Sequence, residues 1–301
     1  MACPRRRRRQ ITARRLFSEL SPTTYQIALA RRRMQRRIAD GLRRSSFARQ
    51  TSQESLPVKV YTHNSLIRRR LGNAQPELQE GKAVSLGLAA PHVDGILIRP
   101  GETFSFWRLV GEPSSRRGFQ PGVVIFDDRA ETGVGGGLCQ FTNLLHWMAL
   151  HSPLSIVEHH HHSGLDLFPD FKRQIPFGTG TSIVWNFLDY RLRNDTGITF
   201  QFRVRTDDEH LRGELRADAP LDQKFHVREE DGWFYEALDP QTGKLQVRRH
   251  NIVSRSTRDK RTGNIVATKT LLENDALVVY DRDRITEPIR PLSESESAQR
   301  R

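Results

Sequence analysis

The chain has 301 residues, of which 36% are hydrophobic, and it carries 48 Lys and Arg against 35 Asp and Glu. This length allows a sizeable buried core, whereas no apolar run approaches the ~18 residues of a transmembrane helix, which excludes a helical membrane-spanning protein. The charge is uneven, because residues 1–50 hold 15 arginines against two acidic residues and so account for the whole net charge of +13.

Residues 1–50 predict an Arg-rich extension that is partly disordered and partly helical. Between residues 16 and 48, apolar residues recur at steps of three, four or seven among arginines, which is typical of one basic amphipathic helix, or of two helices separated at Pro22. Such a helix either lies solvated on the body, adheres to an anionic membrane surface, or contacts nucleic acid. The rest of the chain offers no base-reading motif or aromatic platform, so we do not expect nucleic acid as a partner.

The two cysteines, Cys3 and Cys139, do not make a disulfide framework. The arginines at residues 5–9 are not followed by the apolar stretch of a secretory signal. We therefore expect a cytoplasmic protein in a reducing environment, with peripheral attachment at the inner membrane as the variant that the basic extension suggests.

A polar linker at residues 52–57 leads into a body predicted at residues 58–285, and a flexible tail is predicted at residues 286–301. Strands dominate after residue 183, so the expected fold class is α+β. It consists of a mostly antiparallel sheet with one or two helices, one of which follows a glycine loop and carries the cysteine. Apolar patterning and turn residues predict helices at 78–90 and 138–150 and strands at 58–61, 95–99, 103–106, 123–126, 183–187, 198–205, 211–216, 225–228, 245–249, 265–269 and 276–280.

The strongest chemical signal is the sequence Gly-Val-Gly-Gly-Gly-Leu-Cys-Gln at residues 133–140. The consecutive Gly135, Gly136 and Gly137 permit left-handed backbone angles and a close approach of a substrate to the main chain. Cys139 then falls in the first turn of the predicted helix, where unpaired N–H groups and the helix dipole favour a thiolate and can bind an oxyanion. The alternative is an inert cysteine in the core.

A second signal is the sequence Ile-Val-Glu-His-His-His-His-Ser at residues 156–163. In an extended chain alternate side chains share a face, which places Glu158, His160 and His162 together and the other two histidines opposite. The first group can supply a base and its orienting carboxylate for Cys139. Two alternatives remain open, a zinc site and a polar surface run.

Two further titratable residues have to be weighed. His146 follows Cys139 by seven residues, about 10.5 Å along a helix axis, so it is not the direct base, and substrate contact or packing is expected of it. Asp189 lies among aromatic and apolar residues, and a carboxylate buried there needs partners. It belongs either to a structural network or to the site.

These residues resemble the VanW family, which is named for a protein encoded in some vancomycin-resistance clusters. The likeness runs from about residue 58 to about residue 285. The matching motifs are Arg-Pro-Gly-Glu-Thr-Phe-Ser-Phe-Trp at 99–107, Gly-Gly-Gly-Leu-Cys-Gln at 135–140, Glu-His-His-His-His-Ser at 158–163, Pro-Asp at 169–170, Ile-Pro-Phe-Gly-Thr-Gly-Thr-Ser-Ile at 175–183 and Asn-Phe-Leu-Asp-Tyr at 186–190.

VanW-type domains of some exported proteins act as cysteine L,D-transpeptidases on peptidoglycan, so the resemblance implies Cys139 as the nucleophile. The family's Glu-Arg-His-x-His-Ser pattern falls on Glu158, His160, His162 and Ser163. The chain departs from the family at two points, because His159 replaces the usual Arg and Gly180 stands where many exported relatives carry Asp. It also shows neither the export signal nor the repeated anchoring domains of exported members.

We therefore expect cysteine-dependent acyl transfer on a peptidoglycan peptide or precursor, without a metal or cofactor, in which amides at residues 137–140 hold the oxyanion. The alternative is a non-catalytic accessory protein linked to the cell wall and glycopeptide resistance, bound to the inner membrane surface through residues 1–50. The expected substrate-binding residues are Gly135, Gly136, Gly137, Gln140, Asn143, Ser163 and Asp189.

Overall fold

The computed structural model describes residues 22–42, 46–68, 76–126, 129–161, 164–167, 169 and 175–292. The chain forms two compact units, Met1–Arg44 and Ser45–Arg301. The helices of the described residues are α1 (Pro22–Leu42), α2 (Pro76–Val93), α3 (Phe106–Val110) and α4 (Leu138–Leu150). Their strands are β1 (Val58–Leu66), β2 (Leu97–Ile98), β3 (Thr103–Ser105), β4 (Pro121–Phe126), β5 (Arg129–Val134), β6 (Ser155–Glu158), β7 (Leu165–Asp166), β8 (Arg191–Arg193), β9 (Phe200–Thr206), β10 (His210–Ala217), β11 (Gln223–Leu238), β12 (Leu245–Asp259), β13 (Ile265–Val278) and β14 (Ile289–Arg290).

The described part of the first unit is the helix α1. It begins at Pro22, a residue suited to the first helical position because the N–H that it lacks would have no helical partner there. Ile27, Met34 and Ile38 are more than half exposed, and their spacing places them on one face of the helix. A helix was expected in this part of the chain and is found at Pro22–Leu42; the residues before Pro22 lie outside the described residues.

The core of the second unit lies between a four-stranded sheet and two helices. The strand order is β1-β10-β9-β2, and every pairing is antiparallel. Buried and half-buried residues alternate along β10, as expected where one face of a sheet covers the core. The helix α4 packs on β1 and β10, and α2 packs on β9. The contact is close, since a Cβ at Gly213 would lie 2.7 Å from Leu144 and Met148.

A three-stranded antiparallel sheet, β3-β8-β6, leads into the histidine run. The pairing of β6 with β8 shifts between Ile156 and Glu158, and Glu158 comes to lie opposite Arg191. A bulge of this kind redirects the side chains that follow it. The ribbon β4-β5 is a separate pair of strands that leads into α4.

The C-terminal sheet is a long antiparallel meander. Its strands β11, β12 and β13 have 16, 15 and 14 residues. Two short parallel strands complete it, β14 beside β11 and β7 beside β13. Because β7 follows the histidine run directly, the C-terminal sheet is joined to the region of the predicted site.

The observed fold is mixed and rich in antiparallel sheet, as predicted, and the helix predicted at 138–150 is found at those residues. The packed body begins before the predicted residue 58, because Phe47 and Ala48 are buried and Phe47 pairs with Thr103. The predicted flexible tail is ordered through its first residues, since Ile289 and Arg290 pair with β11. Residues 293–301 lie outside the described residues.

One predicted strand is wrong. Residues 183–187 were expected to be extended, but Val184 and Leu188 exchange main-chain hydrogen bonds across a tight turn. Asn186 occupies that turn with a left-handed φ of 54°. The apolar and aromatic composition of this stretch favours a strand, and asparagine is the residue other than glycine that best tolerates the turn conformation.

Candidate functional site

Cys139 lies in the first turn of α4, as predicted. The helix is preceded by Gly137, whose φ is 88°, and Cys139 is a half-buried free thiol. Burial raises the pKa of the Cys139 thiol, and hydrogen bonding with the main chain of Ile183 and of Cys139 lowers it by less. The net shift of the pKa is upward, opposite to the lowered pKa that is expected of a thiolate at a helix N-terminus.

Packing within the protein explains the three glycines before α4. A Cβ at Gly136 would lie 2.1 Å from the main chain of Gly122 in β4, and a Cβ at Gly137 would lie 2.2 Å from the side chain of Lys82 in α2. Gly135 has a left-handed φ of 76°. The close approach that was predicted for a substrate is therefore made by the ribbon β4-β5 and by α2.

The predicted oxyanion donors are mostly engaged. Three of the four amides, those of Gly137, Leu138 and Gln140, donate to main-chain carbonyls. The fourth amide is that of Cys139. The carbonyl of Cys139 accepts from the hydroxyl of Thr142 at 3.2 Å and lies 3.4 Å from the hydroxyl of Thr181.

The residues just before Ile183 join α4 to the histidine run. The N–H and the hydroxyl of Thr181 both donate to Oδ1 of Asn143, at 2.6 and 2.9 Å. The N–H of Ser182 donates to the carbonyl of His160 at 2.6 Å. Asn143, which was predicted to bind substrate, therefore uses its oxygen to hold this segment against the helix.

Glu158 and His160, predicted as orienter and base, are hydrogen-bonded. Nε2 of His160 donates to Oε1 of Glu158 at 3.2 Å. The same oxygen accepts the N–H of Asp189 at 2.8 Å, and Oε2 of Glu158 lies 3.3 Å from Nε of Arg191. With Glu158 fixed in this way, the neutral imidazole of His160 keeps its lone pair on Nδ1.

His159 faces the opposite way. Its Nε2 donates to the carbonyl of Gly180 at 3.0 Å, and its ring stacks on His146 at 4.3 Å and on His161 at 5.7 Å. Nδ1 of His146 is hydrogen-bonded to the hydroxyl of Tyr190 at 3.1 Å. Burial, followed by repulsion from the other imidazoles, lowers the pKa of His146 and of His159. The predicted alternation is confirmed for the described part of the run.

Asp189 belongs to a structural network. Its side chain is 1% exposed, and its Oδ2 accepts from the Ser105 hydroxyl at 2.6 Å and from Nε of Arg191 at 2.7 Å. Its Oδ1 accepts from the N–H groups of Trp107 and Tyr190, at 3.1 and 2.9 Å. Each oxygen has two donors within the protein, so this geometry supports the structural alternative and not contact with substrate.

Gln140 also uses its side chain within the protein and not toward a ligand. Its Nε2 donates to the Ser65 hydroxyl and the Leu66 carbonyl of β1, at 2.9 and 2.8 Å.

His162 and Ser163 lie outside the described residues. Across the residues that are described, no group of three or more His, Cys, Asp or Glu side chains is placed to hold a metal ion. The same residues include no helix that is long and apolar enough to cross a bilayer.

The sequence analysis assigned no role to Thr181, Ile183 or His159, all of which contact the elements around Cys139. A signal was present in the stretch Gly-Thr-Gly-Thr-Ser at residues 178–182. Small polar residues in succession allow a segment to run close to a helix and to hydrogen-bond with it. This segment is the link between the two predicted halves of the site.

The fold and the site define an α+β protein in which a short polar segment links a cysteine at a helix N-terminus to the histidine run that follows strand β6. Residues 81–216 match the family model described as VanW like protein. This part of the chain is similar to the VanW family.

Two relatives extend this match. The chain is 34% identical over 172 residues to "Vancomycin B-type resistance protein VanW" of Enterococcus faecalis, covering 57% of this chain and 62% of the relative. It is 27% identical over 129 residues to "Uncharacterized protein YoaR" of Bacillus subtilis, covering 42% of this chain and 40% of the relative. The chain thus spans less than two thirds of either relative. No solved structure gives a significant match.

Proposed function

We propose that this protein is a cysteine acyltransferase of the L,D-transpeptidase type that acts on peptidoglycan peptides or their precursors. One observation carries the proposal. The hydroxyl of Thr181 lies 3.4 Å from the carbonyl oxygen of Cys139, and the N–H of the next residue donates to the carbonyl of His160. The ring of His160 is in turn hydrogen-bonded to Glu158. A nucleophile, a base and a group that orients the base are the parts that covalent acyl transfer needs.

The proposed reaction has two steps. The sulfur of Cys139 attacks the carbonyl carbon of a peptide bond in the acyl donor, and the thiol proton passes to an imidazole, for which His160 and His162 are the candidates. The C–N bond breaks, the proton leaves with the amine, and a thioester remains on Cys139. An acceptor amine then attacks the thioester, gives its proton to the imidazole and restores the thiol. Water as the acceptor would make the reaction that of a carboxypeptidase.

The raised pKa of Cys139 is compatible with this route, because a general base removes the proton as the S–C bond forms. The oxygen that becomes negative in the tetrahedral intermediate needs hydrogen-bond donors. Within residues 137–140 the N–H of Cys139 is the candidate donor, because the other three amides donate to main-chain carbonyls.

Intact-protein mass spectrometry with a synthetic peptidoglycan stem tetrapeptide tests the proposal. We expect a mass increase equal to the acyl part of the donor, retained in Cys3→Ser and absent in Cys139→Ala. His160→Ala and His162→Ala identify the base, since loss of a general base slows such steps by about 10²–10⁴-fold. Undiminished product formation by Cys139→Ala, or a wild-type protein that is never acylated, would rule the proposal out.

A second, compatible candidate function is attachment to an anionic membrane surface. The helix α1 exposes Ile27, Met34 and Ile38 and also carries the exposed Arg31 and Arg37. Exposed apolar side chains on a cationic helix are typical of helices that lie in a membrane interface, and each basic residue near an anionic surface contributes about 1 kcal/mol. On this proposal the enzyme meets lipid-linked precursor at the inner face of the membrane.

Co-sedimentation with anionic and zwitterionic vesicles tests this second candidate. The full chain is expected to bind the anionic vesicles, less so at high salt, and Met34→Asp and Ile38→Asp are expected to release it. Point substitutions are preferable to removal of residues 1–50, because Phe47 and Ala48 belong to the core of the body. Binding that ignores both salt and these substitutions would contradict the candidate.

A further inference from the structure

Two buried asparagines of the C-terminal sheet hold one main-chain carbonyl. Asn251 on β12 and Asn274 on β13 lie directly opposite each other, with exposures of 0% and 9%. Nδ2 of Asn274 donates to Oδ1 of Asn251 at 2.6 Å. The Nδ2 atoms of Asn251 and Asn274 both donate to the carbonyl oxygen of Phe177, at 3.0 and 3.2 Å.

The chain around Phe177 is pressed onto this pair. Gly178 has a φ of 83°, and a Cβ there would lie 2.1 Å from the amide of Asn274. The guanidinium of Arg249 on β12 lies 4.6 Å from the centre of the Phe177 ring. The same guanidinium reaches Oδ2 of the buried Asp166 at 3.3 Å. Residues of β12 and β13 therefore contact the chain at Asp166 and again at Phe177 and Gly178.

From Gly178 the chain runs directly to the cysteine. Thr179 is buried. The hydroxyl of Thr181 donates to Oδ1 of Asn143 on α4 at 2.9 Å and lies 3.4 Å from the carbonyl oxygen of Cys139. The asparagine pair and Cys139 thus contact opposite ends of one short segment, residues 177–181.

We infer that Asn251 and Asn274 are positioning residues for Cys139, and that the C-terminal sheet fixes the geometry of the cysteine site through the carbonyl of Phe177. Both asparagines lie outside the family-matched residues 81–216. The inference deepens the proposed function and rests on it for the catalytic consequence. The structural link from the asparagine pair to Cys139 can be tested without measuring enzyme turnover. If the pair merely stabilised its own sheet, its loss would lower stability without altering the surroundings of the sulfur.

The test uses the full chain in a Cys3→Ser background and compares Asn274→Ala, Asn274→Ser and Ser256→Ala. Ser256 is the matched control, because it is a buried polar residue on β12 that pairs with Thr268 at the other end of the sheet. Hydrogen exchange of residues 179–183 and the pH dependence of Cys139 alkylation by iodoacetamide are the two readouts.

We expect exchange in residues 179–183 to be at least tenfold faster in Asn274→Ala than in wild type, with Asn274→Ser in between because it keeps one donor. The midpoint of alkylation should shift from that of wild type, since the segment that contacts Cys139 through Thr181 is no longer held in place. The Ser256→Ala control should match wild type in both. A lower Tm with unchanged exchange and an unchanged alkylation midpoint, in either variant of Asn274, would overturn the inference.

These readouts separate the two proposals. Absence of acylation in the wild-type protein would contradict the proposed function. It would not affect the inference that Asn251 and Asn274 position Cys139. Where the wild type turns over, Asn274→Ala is expected to lower kcat at least tenfold with little change in KM, as a misplaced nucleophile would. A change confined to KM would count against positioning.

Discussion

The carboxylate of Asp189 and the guanidinium of Arg191 form an ion pair, with 2.7 Å between Oδ2 and Nε, that is nearly closed to solvent. Glu158 shares this guanidinium at 3.3 Å and also holds His160. Arg191 therefore connects Asp189, which accepts the N–H of Trp107, to Glu158. Through Glu158 it is also connected to the candidate base His160. Removing one member of a buried pair is costly, because the remaining charge is left in a poorly solvated place.

The first prediction concerns this network. Asp189→Ala is expected to lower the free energy of unfolding by about 3–5 kcal/mol. The exposed pair of Arg193 and Asp195 offers a matched control, since it has the same two residue types on the neighbouring surface, and Asp195→Ala should leave stability nearly unchanged. Urea denaturation measures both. Equal losses in the two variants would show that Asp189 has no special structural role.

The second prediction is a loss of stability in mild acid. Burial lowers the pKa of His151 to about 4, so below about pH 6.5 the unfolded chain binds a proton that the folded protein does not. Lowering the pH from 7.5 to 5 is expected to cost about 2 kcal/mol from His151. The lowered pKa values of His146 and His159 act in the same direction.

Urea denaturation at the two pH values, on wild type and on His151→Phe, checks this expectation. The variant should lose part of the pH dependence, and the same substitution at the exposed His92 controls for loss of an imidazole. Identical pH dependence in wild type and His151→Phe would contradict the assignment.

The third prediction concerns the glycines before the cysteine. Gly136→Ala would bring a Cβ to 2.1 Å from the main chain of Gly122, and main chain cannot yield as the end of a side chain can. We expect a loss of about 1–3 kcal/mol, measured as a fall in Tm of a few degrees relative to wild type. Gly197→Ala is the control, because a Cβ there meets open space. A Gly136→Ala protein as stable as that control would mean that the ribbon and the helix do not pack as described.

The fourth prediction concerns Gly180, at which the resemblance to the VanW family led us to expect a departure from the family pattern. A Cβ at Gly180 would lie 3.7 Å from Oδ1 of Asn143, an ordinary contact, so Gly180→Asp should fold. The new carboxylate would lie near His159, which donates to the carbonyl of this residue, and should raise the pKa of His159. An NMR titration of the histidines follows this pKa. Gly180→Asn is the uncharged control, and an equal effect of both substitutions would exclude a charge effect.

The local elements around the site could be predicted from the sequence. Leu138, Phe141, Leu145 and Met148 recur on one helical face, and the helix is found at Leu138–Leu150. Alternation in the histidine run likewise follows from the period of an extended chain, and it explains why His160 and His159 face opposite ways.

What the sequence does not reveal are the contacts between distant segments. Thr181 bonds to Asn143 and Ser182 bonds to His160, and neither partner can be read from local sequence. The turn at Asn186 that follows them lies in a stretch whose composition favours a strand. The pKa of Cys139 could not be derived either, because the effect of the helix N-terminus is visible in the sequence, whereas the extent of burial depends on what packs over it. Asn251 and Asn274 lie in parts of β12 and β13 that no predicted strand covered.

The pairing of β1 with β10 bears on how this protein can be cut for expression. The family match ends near the end of β10 but begins after β1. A fragment trimmed to residues 81–216 would lose the strand that runs opposite β10 from Val58 to Leu66, along with Phe47 of the core. Its sheet would present an unpaired edge to other molecules, which favours aggregation. Domain boundaries for recombinant work should therefore include residues 46–68, however short the recognisable motif region is.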